Sequence, residues 1–306
     1  MRAVFAGTPA VAIPALEAIR GSQHELVGVI TREDAPVGRR RLMTPSPVAL
    51  WAADQGIAVA RHNRLGSAEA AVLSDWKPDI GVIVAYGALL REPILSALPH
   101  GWLNLHFSRL PDLRGAAPVQ NAILRGDSQV STSVFRLVAE LDAGDVFDER
   151  THNIAPDETS GEVLERLAVR GADQLLNVLD GVELETATAF PQVGETSYAP
   201  KLSSVDGRLR TANLAGQYDR FRATTPEPGA WVDTDAGRLK LVRVLPGNPC
   251  PDLAPGTLQP CEGELVMTFS EGILRFLRVV PAGKSEMSGL DWFRGLRRDV
   301  VNIVDS

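Results

Sequence analysis

Residues Asn104, Leu105 and His106 close a short apolar run, 101–106. On a strand, positions two apart point to one face, so the amide of Asn104 and the imidazole of His106 project side by side. An imidazole moves protons near neutral pH, and an amide N–H donates to a developing oxyanion. The pair suits acyl transfer. It equally suits two hydrogen-bonded structural groups, and the dipeptide pattern leaves both readings open. Ser108-Arg109-Leu110-Pro111 and residues 114–118 follow at once, giving a rigid loop and a helix start. After the β-branched run 130–138 comes Leu141-Asp142-Ala143-Gly144-Asp145. Asp142 in this glycine turn either orients the imidazole or a water, or is an ordinary turn aspartate. The other histidines, His24, His62, His100 and His152, show no His-x-x-x-His spacing, so no metal site is expected. No Gly-x-Ser-x-Gly elbow or P-loop is present, which leaves serine hydrolases and NTPases without their motifs. The first apolar run ends Ala6-Gly7-Thr8-Pro9, not a dinucleotide fingerprint.

These groups need a scaffold, and the chain supplies two kinds. Residues 2–6, 26–31, 79–84, 101–106 and 130–138 read as strands. Residues 9–20, 47–55, 116–124 and 160–179 read as helices, and 31–44 as a polar loop. Short apolar strands alternating with helices imply an α/β fold with a mostly parallel sheet covered on both faces. In such sheets ligands bind beyond the carboxyl ends of the strands, which is where His106 falls. The alternation stops near residue 180, and the polar stretch 194–204 reads as a linker. Beyond it, short runs at 229–232, 239–244, 264–269 and 273–279 are separated by Gly, Pro, Asn and Asp, the signature of a small β-barrel or sandwich.

The chain has 306 residues, 44% hydrophobic and 23% charged, enough for two domains with large cores. Two cysteines are too few for a disulfide framework, and a reduced, cytoplasmic setting is expected. No signal-peptide pattern opens the chain, and the longest apolar run, 81–90, is about half of a membrane span. The net charge of −7 argues against a polyanionic partner until it is divided by region. Residues 1–200 carry 17 basic and 25 acidic residues, whereas 201–306 carry 14 and 13. Arg39-Arg40-Arg41 stands out within the acidic part, and 201–243 is locally basic. Such asymmetry fits either a solvated surface or a nucleic-acid partner.

Taken together, these segments resemble the methionyl-tRNA formyltransferase family along nearly the whole chain. The resemblance is carried by 5–9, 41–48, Ala85-Tyr86-Gly87, Asn104-Leu105-His106, 108–111, 114–118, 141–145, 198–202, 228–231 and 281–284. It implies a Rossmann-like formyltransferase domain over 1–189, a linker over 190–207, and an OB-like β-barrel over 208–306 that holds tRNA. It implies a catalytic trio of Asn104, His106 and Asp142, with 10-formyltetrahydrofolate as formyl donor and no metal. The acceptor it implies is the α-amine of methionine on initiator methionyl-tRNA. The matching folate-binding positions are Ala85, Tyr86, Gly87, Ser108, Arg109, Leu110 and Pro111. Those matching tRNA contacts are Gly38, Arg39, Arg40, Arg41 and Leu42, with Arg220, Arg222 and Lys284 as further backbone contacts. A cytoplasmic monomer without membrane association is expected. Phe107, Arg109, Leu113 and Val11 depart from the pattern, which bears on pocket shape rather than on reaction type. An amino-sugar N-formyltransferase would share the trio and the donor but lack the arginine loop and the second domain. A formyltetrahydrofolate hydrolase would differ in using water as acceptor. A non-enzymatic tRNA-binding protein would leave the trio without a reason.

Overall fold

The computed structural model describes residues 1–38, 41–66, 70–251 and 253–305. Its strands in chain order are β1 (Arg2–Gly7), β2 (Glu25–Thr31), β3 (Ala35–Val37), β4 (Leu42–Thr44), β5 (Val59–Arg61), β6 (Ile80–Val84), β7 (Trp102–His106), β8 (Arg114–Gly115), β9 (Gln129–Arg136), β10 (Val146–Asn153) and β11 (Tyr198–Ala199). They continue with β12 (Trp231–Thr234), β13 (Gly237–Gly247), β14 (Thr257–Cys261), β15 (Glu264–Thr268), β16 (Ile273–Pro281), β17 (Met287–Ser288) and β18 (Val301–Asn302). The helices are α1 (Ile13–Arg20), α2 (Pro47–Asp54), α3 (Ala70–Trp76), α4 (Pro118–Leu124), α5 (Ser160–Glu183), α6 (Leu214–Thr224) and α7 (Gly289–Leu296). Contacts divide the chain into two compact units. The first comprises 1–118, 130–152 and 164–199, and the second comprises 119–129, 153–163 and 200–306.

The first unit is built on a seven-stranded sheet of order β10-β9-β7-β6-β1-β2-β5. The β5–β2–β1–β6–β7 run is parallel throughout, and β9 joins β7 antiparallel. Continuous apolar strands such as Ile80–Val84 are buried along their whole length, as a sheet covered on both faces requires. Helix α2 starts where its sequence says: Ser46 accepts from the Ala49 amide at 3.0 Å, and Pro47 occupies the first turn.

Strand β7 shows how the site is seated. Leu103 and Leu105 point to one face, where Leu105 lies against Gly171 of α5. Trp102, Asn104 and His106 share the other face. Trp102 is fully buried and lies flat over Gly81, its register partner on β6. A Cβ at position 81 would fall inside the indole, so only glycine admits this packing. The indole N–H donates to the Ile94 carbonyl at 2.9 Å, which fixes the ring.

The stretch expected as a loop at 31–44 contains a hairpin. β3 and β4 pair antiparallel through Ala35↔Thr44, Pro36↔Met43 and Val37↔Leu42. No alternation announces it, because Val37, Leu42 and Met43 are all more than half exposed.

The second unit is an antiparallel sheet of order β12-β13-β16-β15-β14-β18, with β17 added on β16. A bridge between Thr234 and Ile303 brings its two ends together, so the sheet curls into a nearly closed barrel. Phe276, Leu258, Leu265 and Val279 fill it, joined by Trp292 and Phe293 of α7 and Phe221 of α6. Cys250 and Cys261 form a disulfide across the β13–β14 connection. This corrects the expectation of two reduced thiols: a lone close pair needs no cysteine framework. Among the described residues no helix is long and apolar enough to cross a membrane.

Candidate active site

At the carboxyl end of β7, Asn104 pairs in register with Ile83 on one side and Phe135 on the other. Its carboxamide has no hydrogen-bond partner among the described residues, so its N–H groups are available to a ligand. His106 is 7% exposed and meets Phe135 edge-on, with ring centroids 6.4 Å apart. Its Nε2 lies 3.1 Å from the Leu113 carbonyl oxygen. A carbonyl only accepts, so Nε2 carries a proton and donates it there. In the neutral ring Nδ1 is therefore the nitrogen with a free lone pair. That Nδ1 faces Asp142 Oδ2 at 4.0 Å. The separation is an electrostatic one, beyond a direct hydrogen bond.

Asp142 is 7% exposed and sits at φ +48°, a left-handed conformation that aspartate tolerates better than most residues. The Gly115 amide donates to its Oδ2 at 2.8 Å. Two residues on, Gly144 packs onto the Arg136 carbonyl, where a Cβ would collide with it. The Gln192 side chain donates to the Asp142 carbonyl at 2.7 Å and to the Gly144 carbonyl at 2.9 Å. Its Oε1 accepts from Arg114 Nη2 at 2.7 Å, and Arg114 Nη1 reaches Glu140 at 2.9 Å. Polarity alone assigned none of these roles to Gln192, Arg114 or Gly115. Each arises from a tertiary approach without a local signature.

The positions matched to folate lie around this end of the sheet in different states. Ala85 and Gly87 are exposed with positive φ, +49° and +83°. Tyr86 is buried between them, and its hydroxyl donates to the His62 carbonyl at 2.6 Å while its own carbonyl accepts from Thr8 at 2.8 Å. Ser108 is buried, donating to the Asp112 carbonyl at 2.7 Å and accepting at its own carbonyl from Ser133 at 2.7 Å. Tyr86 and Ser108 thus brace their loops through their side chains. Leu110 and Pro111 are buried, whereas the Arg109 side chain is 76% exposed and 3.2 Å from Glu149. Burial holds the Glu149 carboxyl above the ordinary carboxylate range; Arg109 opposes this and Asp148 adds to it.

Of the positions matched to tRNA, Arg39 and Arg40 lie outside the described residues. Gly38 and Arg41 take positive φ at the hairpin turn, where the Arg41 amide donates to the Gly38 carbonyl at 3.1 Å. Arg41 and Leu42 are exposed. In the second unit Lys284 is exposed at a turn. Arg220 is half-buried and donates to the Asp206 carbonyl at 2.7 Å. Arg222 is buried, ion-paired to Asp219 at 2.6 Å and donating to the Ala155 and Glu158 carbonyls. Its guanidinium holds the protein together, which leaves it out of any contact with a polyanion.

His24 and His152 lie in buried polar clusters away from this site. His24, Asp180 and Glu183 bring potential ligand atoms within 4.8 Å of one another, with His24 Nε2 3.0 Å from Asp180 Oδ1. His152 is buried beside Thr132, whose hydroxyl donates to Gln174 at 2.6 Å. The Thr132 oxygen therefore accepts from His152 Nε2 at 3.1 Å, while Nδ1 faces Arg170 at 3.4 Å. Burial, then Arg170, Arg166 and Arg150, hold its pKa below the ordinary histidine value. Below about pH 6.5 the unfolded chain binds a proton that the folded one refuses, so stability falls as pH falls. We expect His152→Gln to flatten the decline of the unfolding midpoint between pH 7 and 5, as read by calorimetry. An unchanged slope would contradict this role.

Residues 1–179 match the formyl transferase family and 212–297 match the formyl transferase C-terminal domain. A methionyl-tRNA formyltransferase of Leifsonia xyli subsp. xyli is 47% identical over 302 residues, covering 98% of this chain and 99% of that protein. Among solved structures, a methionyl-tRNA formyltransferase from Clostridium thermocellum aligns at a TM-score of 0.58 and 15% identity, over 92% of this chain and all of that one. An N-formyltransferase from Helicobacter canadensis, in complex with folinic acid and dTDP-3-aminofucose, aligns at 0.65 and 15% identity, over 91% of this chain and 98% of that one. The fold is common to formyltransferases of different acceptors, whereas the near-full-length identity singles out one of them: the chain belongs to the methionyl-tRNA formyltransferase family.

Proposed function

We propose that this chain transfers the formyl group of 10-formyltetrahydrofolate to the α-amine of methionine on initiator methionyl-tRNA, leaving tetrahydrofolate. The observation that carries the chemistry is the convergence of an unpartnered Asn104 amide and the free Nδ1 of His106 at one strand end, with Asp142 opposite that nitrogen. The donor's formyl group sits on an aniline-type nitrogen whose lone pair is shared with the ring, so its carbonyl is open to attack. Esterification lowers the basicity of the methionine amine and leaves a useful fraction neutral. As that amine adds, a C–N bond forms and the carbonyl electrons move to oxygen. Asn104 donates to this oxyanion. His106 Nδ1 takes the proton released by the attacking nitrogen and delivers it to the folate nitrogen as the old C–N bond breaks. Asp142 supplies the negative charge that faces the imidazolium during this shuttle.

In this reading Ala85, Tyr86, Gly87 and residues 108–111 frame the folate pocket, with Tyr86 and Ser108 shaping it from below. The catalytic work falls to 1–189 together with the stretch 190–199 that is built into the same unit, and 208–306 holds tRNA. The enzyme acts as a cytoplasmic monomer. Gly38, Arg39, Arg40, Arg41, Leu42 and Lys284 meet phosphates. The deciding assay offers methionyl initiator tRNA, methionyl elongator tRNA, an amino-sugar nucleotide and water as acceptors. Formylation of the initiator tRNA above all others is expected, and preference for any other acceptor would refute the proposal. Arg39→Ala/Arg41→Ala is expected to weaken initiator-tRNA binding about tenfold at low salt and to flatten its salt dependence. Affinity equal to the parent at every salt concentration would remove the loop from the contact.

A further inference from the structure

The stretch 190–199 is built into the first unit as a strap. Phe190 and Val146 exchange amide hydrogen bonds of 2.9 and 2.8 Å. Gln192 caps both carbonyls of the turn that carries Asp142. Arg114 donates to Gln192 Oε1, so the amide has one orientation, with its NH2 toward that turn. Further along, the Leu113 amide donates to Ser197 Oγ at 2.9 Å, and the Ser197 hydroxyl donates to the Asp112 carboxylate. The Arg114 amide donates to the Ser197 carbonyl at 2.9 Å, and β11 then pairs parallel with β8. Leu113 is the residue whose carbonyl orients His106, and Gly115 is the residue whose amide holds the Asp142 carboxylate.

One segment thus grips both halves of the pair. We infer that Gln192 and Ser197 are positioning residues for the reaction, Gln192 holding Asp142 in its left-handed turn and Ser197 holding the carbonyl that aims His106. Neither reaches the reacting atoms; each acts through a neighbour. The inference rests on the formyl-transfer reading for its kinetics alone. The left-handed conformation of Asp142 is tolerated by aspartate without being its preferred one, and the two Gln192 N–H donors to the carbonyls of Asp142 and Gly144 select it over the alternatives. A misplacement of about 1 Å costs up to about 10²-fold in rate.

Gln192→Met keeps the volume and removes both donors. It is expected to lower kcat by about 10–100-fold while KM for donor and tRNA stays within about threefold. Because Gln192 acts through Asp142, adding Gln192→Met to Asp142→Asn should cost less than about twofold more. Parent-like kcat, or losses that multiply in full, would overturn the inference. Ser197→Thr should retain kcat and Ser197→Ala lose about tenfold; equal activities in that pair would overturn its half. Hydrogen exchange of the Gly115 amide, which Asp142 protects, supplies a readout independent of any substrate. Gln192→Met should speed it at least about tenfold with the sheet amides unchanged. Unchanged exchange refutes the positioning whatever the reaction is, whereas a parent that transfers no formyl group refutes the function alone.

Discussion

His106→Ala is expected to fold and to transfer formyl groups about 10²–10⁴-fold more slowly than the parent. The size follows from what the ring does alone. Nε2 is committed to the Leu113 carbonyl, and Nδ1 is then the one nitrogen free to collect a proton from the incoming amine and return it to the departing one. Removal of the ring leaves the Leu113 carbonyl with the Ser108 hydroxyl at 3.3 Å, so no orphaned acceptor is created and the loop stays in place. The measurement is single-turnover transfer from 10-formyltetrahydrofolate to methionyl initiator tRNA, beside a thermal melt. A folded variant with parent-like turnover would remove His106 from the mechanism.

Asn104→Ala is expected to lose about 10²–10³-fold in kcat, the usual cost of one oxyanion donor. The side chain makes no contact that the fold requires: it is half-buried on β7 with no hydrogen-bond partner among the described residues. Stability should therefore move by less than the cost of a buried unsatisfied group, about 1–3 kcal/mol. Asn104→Asp separates shape from donation. It keeps the outline, removes the N–H and sets a negative charge beside the forming oxyanion, so its rate should be no better than that of the alanine variant. Aspartate outperforming alanine would assign Asn104 to substrate positioning rather than to the oxyanion.

The parts legible in the sequence were those with a period or a punctuation mark. β1, β6 and β7 stand out as largely apolar, buried runs, β2 as an apolar run buried over its second half, β9 as a β-branched one, and α2 is framed by Ser46 and Pro47. Asn104 and His106 were legible because strand geometry forces residues two apart onto one face. The β3–β4 hairpin was not, because both its faces meet solvent and nothing sorts its residues by polarity. Nor was α7, whose eight residues offer a single apolar turn built on Trp292 and Phe293. Gln192 and Ser197 read as linker for a related reason. A side chain that donates to backbone carbonyls distant in sequence leaves no pattern around itself. Arg222 errs the other way: in sequence a surface cation, in the fold a buried tie among carbonyls.

The glycine beneath Trp102 gives the enzyme a vulnerable address outside its chemistry. Gly81 takes no part in the chemistry, yet it seats the indole that begins the strand ending in Asn104 and His106. A random-mutagenesis screen for inactive clones should therefore gather at codon 81 as well as at the trio. Those clones would carry every catalytic group intact and still fail, because the bench on which the groups are mounted no longer sits level.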